Sequence, residues 1–125
     1  MSGITLDTGA LIALERGDRL MAALLQRAIA ANIDIALPTT VIAQAIRDPA
    51  KQVALTTLMR ASITDIVDLD RPTAMAIGRM LAMSRTSDIT DAHVAITATT
   101  RRHIVATSDP GDLAALAPDC ELIEF

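Results

Sequence analysis

Short apolar or alternating runs recur along the chain, separated by stretches of helical spacing, and this alternation constrains the fold more than any other feature. Gly3 to Leu6, "DIALP" from Asp34, "ITDIVDL" from Ile63, "HIVAT" from His103 and "CELIEF" from Cys120 are each too short for a helix and bounded by turn formers. Between them the spacing predicts helices over residues 8–16, 20–31, 38–46, 51–61 and 89–102. A further helix starts at "DRPT" with a stripe of Ala74, Ile77 and Leu81, and a short one covers "DPGDLAAL". The stripe of the second helix is Leu20, Met21, Leu24, Leu25, Ala28 and Ile29. Strands alternating with helices predict a three-layer α/β/α sandwich around a short, mostly parallel sheet. The 125 residues are expected to form one domain, residues 1–125. Aromatics are 1% of the chain against 51% hydrophobic residues, so the core must be aliphatic.

Charge and composition exclude several classes. A net charge of −4 rules out a general nucleic-acid coat; any such role needs a local basic patch or bridging metal ions. Cys120 is the single cysteine, so no internal disulfide forms and a cytoplasmic location is expected. The longest uncharged run, residues 35–46, contains Pro38 and is too short to span a bilayer, so no membrane association is expected. The N-terminus shows no basic segment followed by an apolar one, so no secretory signal is visible.

In parallel sheets, chemistry gathers where strands end and helices begin. Asp7 follows "ITL", Asp109 follows "IVATS", and Asp88 and Asp91 open the helix in "TSDITDAHVAI". Each has a bland explanation. Asp caps helices, Asp109 precedes Pro110 as an N-cap precedes a first-turn proline, and Asp88 with Asp91 resembles a capping box. Together they say more. Two carboxylates about 4 Å apart repel by roughly 4 kcal/mol at an effective dielectric near 20. No Lys or Arg lies within two residues of Asp7, Asp91 or Asp109 to relieve this. A divalent cation would, and carboxylates around Mg²⁺ or Mn²⁺ form a phosphoryl-transfer arrangement.

The sequence resembles the PIN-domain ribonucleases, specifically the VapC-type toxins of bacterial toxin–antitoxin pairs. The resemblance rests on "LDTGALIALE", "PTTVIAQAIR", "SDITDAHVAITA" and "IVATSDPGDLAAL", and covers nearly the whole chain. It implies a PIN-like fold and hydrolysis of phosphodiester bonds in tRNA, rRNA or mRNA with Mg²⁺ or Mn²⁺. It also implies a homodimer and inhibition by a small cognate antitoxin. Carried over, Asp7, Asp91 and Asp109 would bind metal and orient the attacking water. Asp112 would share or replace the role of Asp109, Asp88 is a weaker candidate, and Thr8 and Ser108 would be supporting hydroxyls. One position departs from the pattern: the family's second acidic residue falls at Gln44. A neutral amide oxygen can ligate a hard cation but adds no charge. The alternative function is therefore a catalytically weakened PIN-like binding module, with Gln44 hydrogen-bonding locally.

Other assignments fail on fold grounds. "LDTGA" together with "AIGR", Ala76 to Arg79, resembles a retroviral-type aspartic protease. That fold is all-β with glycine-rich flaps, whereas this chain has 5 glycines and "AIGR" lies in a helical stripe. A phosphoacceptor receiver needs a lysine at a later strand end, but Lys51 follows a helix break. His93 and His103 lack zinc-ligand spacing and are expected at helix ends or the surface. Cys120 is expected to be a small buried hydrophobe. Met75, Met80 and Met83 fit core packing, with an adaptable interface for a dimer or antitoxin helix as the alternative. Arg16, Arg19, Arg47 and Lys51 follow helices that start near the acidic edge; they are either phosphate contacts at its rim or solvated helix ends.

Overall fold

The computed structural model describes residues 3–125. Its sheet has five strands: β1 (Gly3–Leu6), β2 (Asp34–Pro38), β3 (Thr64–Val67), β4 (Ile104–Thr107) and β5 (Leu122–Glu124). Their order is β3-β2-β1-β4-β5 and every pairing is parallel. Ile4 lies opposite Ile35 on one side and Ile104 on the other. The three middle strands are largely buried on both faces, and all four residues of β4 are buried. The edge strands β3 and β5 are only partly covered.

Seven helices connect the strands: α1 (Thr8–Glu15), α2 (Arg19–Ala30), α3 (Thr39–Ala45), α4 (Val53–Arg60), α5 (Arg71–Ser84), α6 (Ile89–Arg101) and α7 (Pro110–Leu116). From β1 the chain steps outward through β2 to β3, then crosses back to place β4 beside β1. Right-handed crossovers in opposite directions put their helices on opposite faces. Thus α1 to α4 lie on one side and α5 to α7 on the other, in keeping with the contacts of α1 with α2, α3 and α4 and of α6 with α5 and α7. The three-layer sandwich expected from the sequence is the observed fold. The reversal of strand order falls between β1 and β4, and a crevice opens there at the strands' C-terminal ends.

Aspartates begin four of the helices by accepting backbone N–H bonds: Asp7 from Ala10, Asp18 from Met21, Asp70 from Thr73 and Asp88 from Asp91. The core joins Ile4, Leu6, Leu11, Met21, Ile35 and Leu37 to Val94 and Val105 across the sheet. Gln52 is a buried polar keystone. Its Oε1 accepts the N–H of Arg47 at 2.8 Å and of Asp48 at 3.0 Å. Its Nε2 donates to the Ala45 carbonyl at 2.8 Å and to Glu15 at 3.2 Å. Gln52→Ala orphans two backbone donors and a carbonyl. The expected cost is about 2 kcal/mol, measured as a loss of about 5–10 °C in Tm; an unchanged Tm would show that water replaces the amide.

Several side chains depart from the expected pattern. His93 and His103 are buried, with 0% and 7% exposure, rather than at the surface. His93 projects from the inward face of α6, where its Nδ1 shares a 2.8 Å hydrogen bond with Thr40 Oγ1. His103 opens β4 and pairs Nδ1 with Thr5 Oγ1 at 3.0 Å. Burial lowers the pKa of both. Gly3 makes room for the His103 ring, because a Cβ there would lie 2.5 Å from Nε2. Core packing fails for two methionines: Met75 is 59% and Met83 87% exposed, while Met80 packs against the core. Leu20, Ile29 and Ala74 also lie outside the buried stripes of their helices. Cys120 is half-buried beside the core, and burial raises its thiol pKa.

Candidate active site

The crevice between β1 and β4 collects the aspartates. Asp7 leaves β1 directly into α1 and is 8% exposed. One carboxylate oxygen accepts the Ala10 N–H at 2.8 Å, so the residue caps its helix while facing the crevice. Burial raises its pKa; the Thr107 hydroxyl and the Ala10 N–H oppose this, and the Asp109 charge adds to it. Thr107 ends β4 fully buried, and its Oγ1 also accepts the Asp109 N–H at 2.9 Å. The same hydroxyl thus touches both sides of the crevice. Nothing in the sequence marks Thr107 beyond its being a polar residue that closes an otherwise apolar strand.

Asp91 lies in the first turn of α6, on the opposite face of the sheet from α1. Its pKa is pushed up to about 6 by burial first, then by the charges of Asp88, Asp112, Asp7 and Asp109. Asp112 lies in the first turn of α7 and is raised mainly by the Asp109 charge and a hydrogen bond between the two carboxyls. Asp109 makes no side-chain cap bond to α7, contrary to the capping expected for it, which leaves its carboxyl to the cluster. Asp88 does cap α6. Asp7, Asp109 and Asp112 thus lie close enough to Asp91 for their charges to act on it, and the charged groups that perturb Asp91 are all carboxylates. Thr86 and Ser87 join Asp88, Asp91 and Asp112 in a cavity of about 280 Å³.

Gln44 is exposed on α3, and its Oε1 accepts the Thr8 hydroxyl at 2.7 Å. It therefore reaches the residue next to Asp7, but its oxygen is engaged. Ser108 is exposed and packs against Gly9: a Cβ on Gly9 would lie 2.6 Å from Ser108 Oγ and 3.4 Å from Asp7 Oδ1. The basic rim divides. Arg47 folds back onto the carbonyls of Ala43 and Ile46, and Lys51 pairs with Asp48 at 4.0 Å, so both serve their own loop. Arg16 instead borders a groove that contains Gly9 and Ser108.

The donor set is all hard oxygen, the kind that suits Mg²⁺ or Mn²⁺. Among the described residues, no three His, Cys, Asp or Glu side chains already converge tightly enough to hold an ion. The mutual repulsion around Asp91 is nevertheless what a divalent cation would relieve, and Asp109 and Asp112 are exposed at the start of α7.

No protein-family model matches the chain, and no curated protein matches it. Solved structures do match its fold. A chain of the VapBC2 complex of Rickettsia felis, bound to a DNA fragment from its promoter, superposes with a TM-score of 0.73 at 17% identity, covering 98% of both chains. DNA-bound VapBC from Salmonella typhimurium gives 0.72 at 16% identity, over 99% of this chain and 98% of that one. FitAcB from Neisseria gonorrhoeae gives 0.66 at 22% identity, over 97% and 96%. The chain thus has the fold found in these structures over essentially its whole length. Among the described residues, no helix is long and apolar enough to cross a membrane.

Proposed function

We propose that this protein is a metal-dependent endoribonuclease and the toxin of a toxin–antitoxin pair. The observation that carries this reading is the convergence of Asp7, Asp91, Asp109 and Asp112 on the crevice where strand order reverses, with Asp91 held near pKa 6 by burial and carboxylate neighbours. These four would hold Mg²⁺ or Mn²⁺, with the Gln44 amide oxygen as a neutral donor. When bound, the cation supplies the positive charge that a phosphate under attack requires. The chain's own groups do the rest. Asp7 is fixed by the Ala10 N–H and the Thr107 hydroxyl. Asp91, ionised once the cation is held, would accept a hydrogen bond from the attacking water and orient it. The Ser108 hydroxyl, beside Gly9 at the start of α1, would serve as a hydrogen-bond donor there. An antitoxin partner is supported by the complexes that share the fold. A protein interface, with the antitoxin or a second copy, is supported by the exposed Met75 and Met83 of α5. Cleavage of total RNA by the purified protein in Mn²⁺, with the cut sites mapped, tests the reading; the same cuts in EDTA would refute it.

A second reading has its own support. Gln44 brings no charge and gives its oxygen to Thr8, so a PIN-like binding module that no longer cleaves also fits the site. Absence of Mn²⁺-dependent cleavage alongside retained RNA binding would select it.

The raised Asp91 pKa fixes the sign of two pH effects. The folded protein holds this proton more tightly than the unfolded chain does. Its stabilisation is complete below the ordinary carboxylate pKa and is lost as pH rises through about 6. The metal-free protein should therefore lose stability relative to Asp91→Asn between about pH 4 and pH 7. Metal binding must displace the same proton, so the Mn²⁺-induced rise in Tm should grow through about pH 6 and fade below about pH 5. A Mn²⁺ effect independent of pH would place the ion elsewhere.

A further inference from the structure

A groove of about 530 Å³ runs beside the acidic crevice on the α1 side of the sheet. This is within the usual size of a ligand site. Gly9, Ile12, Ala13 and Arg16 line it from α1, with Ser108 and Phe125 facing them. Its head lies at Gly9 and Ser108, within one side-chain reach of Asp7 Oδ1. Its far end lies at Arg16, about 10 Å further along the helix at 1.5 Å per residue.

The lining is chemically mixed in a way that suits one kind of occupant. Ile12 and Ala13 give an apolar floor. Phe125 is the only aromatic residue of the chain. It is held in place because its N–H donates to the Thr107 carbonyl at 3.2 Å and its side chain packs against the core. The ring is thereby anchored beside the strand end that carries the catalytic turn. Arg16 is exposed, and among the described residues its guanidinium makes no ion pair. Asp18, the one acid in the lining, is committed to capping α2 through the Met21 N–H at 2.9 Å.

We propose that this groove is a subsite for single-stranded RNA next to the scissile phosphate, with a base against Phe125 and the adjoining phosphate on Arg16. The proposal rests on the nuclease reading and adds a path for the strand. A stacked ring accepts any base, and one arginine neutralises one phosphate, so the site favours a flexible single strand over a rigid duplex. The acidic surface as a whole attracts nucleic acid poorly, which makes such a local contact necessary for substrate capture.

The test is binding of a fluorescent single-stranded RNA in Ca²⁺, followed by anisotropy and run beside Mn²⁺-dependent cleavage. Wild type and Asp91→Asn should both bind. Arg16→Gln and Phe125→Leu should each weaken binding about tenfold, and Arg16→Gln should lower the salt slope by about 0.7. In cleavage their KM should rise while kcat holds. Arg60→Gln, exposed at the end of α4, should bind as wild type does. Wild-type binding by both groove variants, an equal loss in Arg60→Gln, or no RNA binding at all would overturn the proposal. So would unchanged RNA binding with weakened hold on a copurifying protein, which would give the groove to a protein partner. The nuclease reading falls separately, if Asp91→Asn cleaves as well as wild type.

Discussion

Asp91→Asn is expected to reduce Mn²⁺-dependent RNA cleavage by about 10³-fold or more while raising the melting temperature of the metal-free protein by a few degrees. The two effects have one cause. Asp91 is half-buried, and the charges that act on it come from Asp88, Asp112, Asp7 and Asp109. In the metal-free state its ionised form is repelled from every side, so a neutral isostere relaxes the fold. Solvent reaches part of the group and screens the repulsion, which keeps the gain small. With metal and RNA present the same charge is required to hold the cation, and asparagine does not supply it. Cleavage rates and Tm scans with and without Mn²⁺ check both halves. Loss of activity with a lower metal-free Tm would mean that Asp91 is structural. Equal activity would remove the nuclease from this site altogether.

Gln44→Glu is expected to tighten Mn²⁺ binding about 10- to 100-fold and to raise cleavage at limiting metal. Gln44 already reaches the acidic edge, where its Oε1 accepts the Thr8 hydroxyl at 2.7 Å. A glutamate keeps an acceptor for Thr8 and adds the charge that a hard cation favours. Its position on an exposed helix face makes the substitution cheap for the fold. Titration of Mn²⁺ against Tm or cleavage reads the effect. The metal-free protein should gain no stability, since the new carboxylate joins an already acidic edge. An unchanged Mn²⁺ midpoint would show that Gln44 serves only to tie α3 to the start of α1. Strong activation would identify the natural amide as a deliberate weakening of the centre.

Much of the site was legible because its residues stand at element boundaries. Asp7 and Asp109 follow strands whose apolar character is plain, and Asp91 follows a cap, so the sequence alone places them toward one edge. Capping proved compatible with this at Asp7, correct at Asp88 and absent at Asp109. Thr107 was not legible, because a threonine at the end of a buried strand is ordinary and one of its partners, Asp7, stands on a distant strand end. His93 and His103 are buried for a reason no local pattern records: Nδ1 of each meets a threonine from a distant segment, Thr40 or Thr5. Met75 and Met83 were misplaced because helical spacing identifies an apolar face without saying whether anything packs on it.

By itself the sequence determined the order of strands and helices, the aliphatic nature of the core and the strand ends on which carboxylates sit. Side-chain periodicity and capping preferences are local, so a single chain displays them directly. The tertiary structure decided that β4 returns to the side of β1, that the charges of Asp7, Asp109 and Asp112 act on Asp91, and that Gln44 meets Thr8 and Gln52 joins three segments. These depend on which distant elements pack together. Long-range packing and crossover handedness set that arrangement, and no periodicity within one element records it.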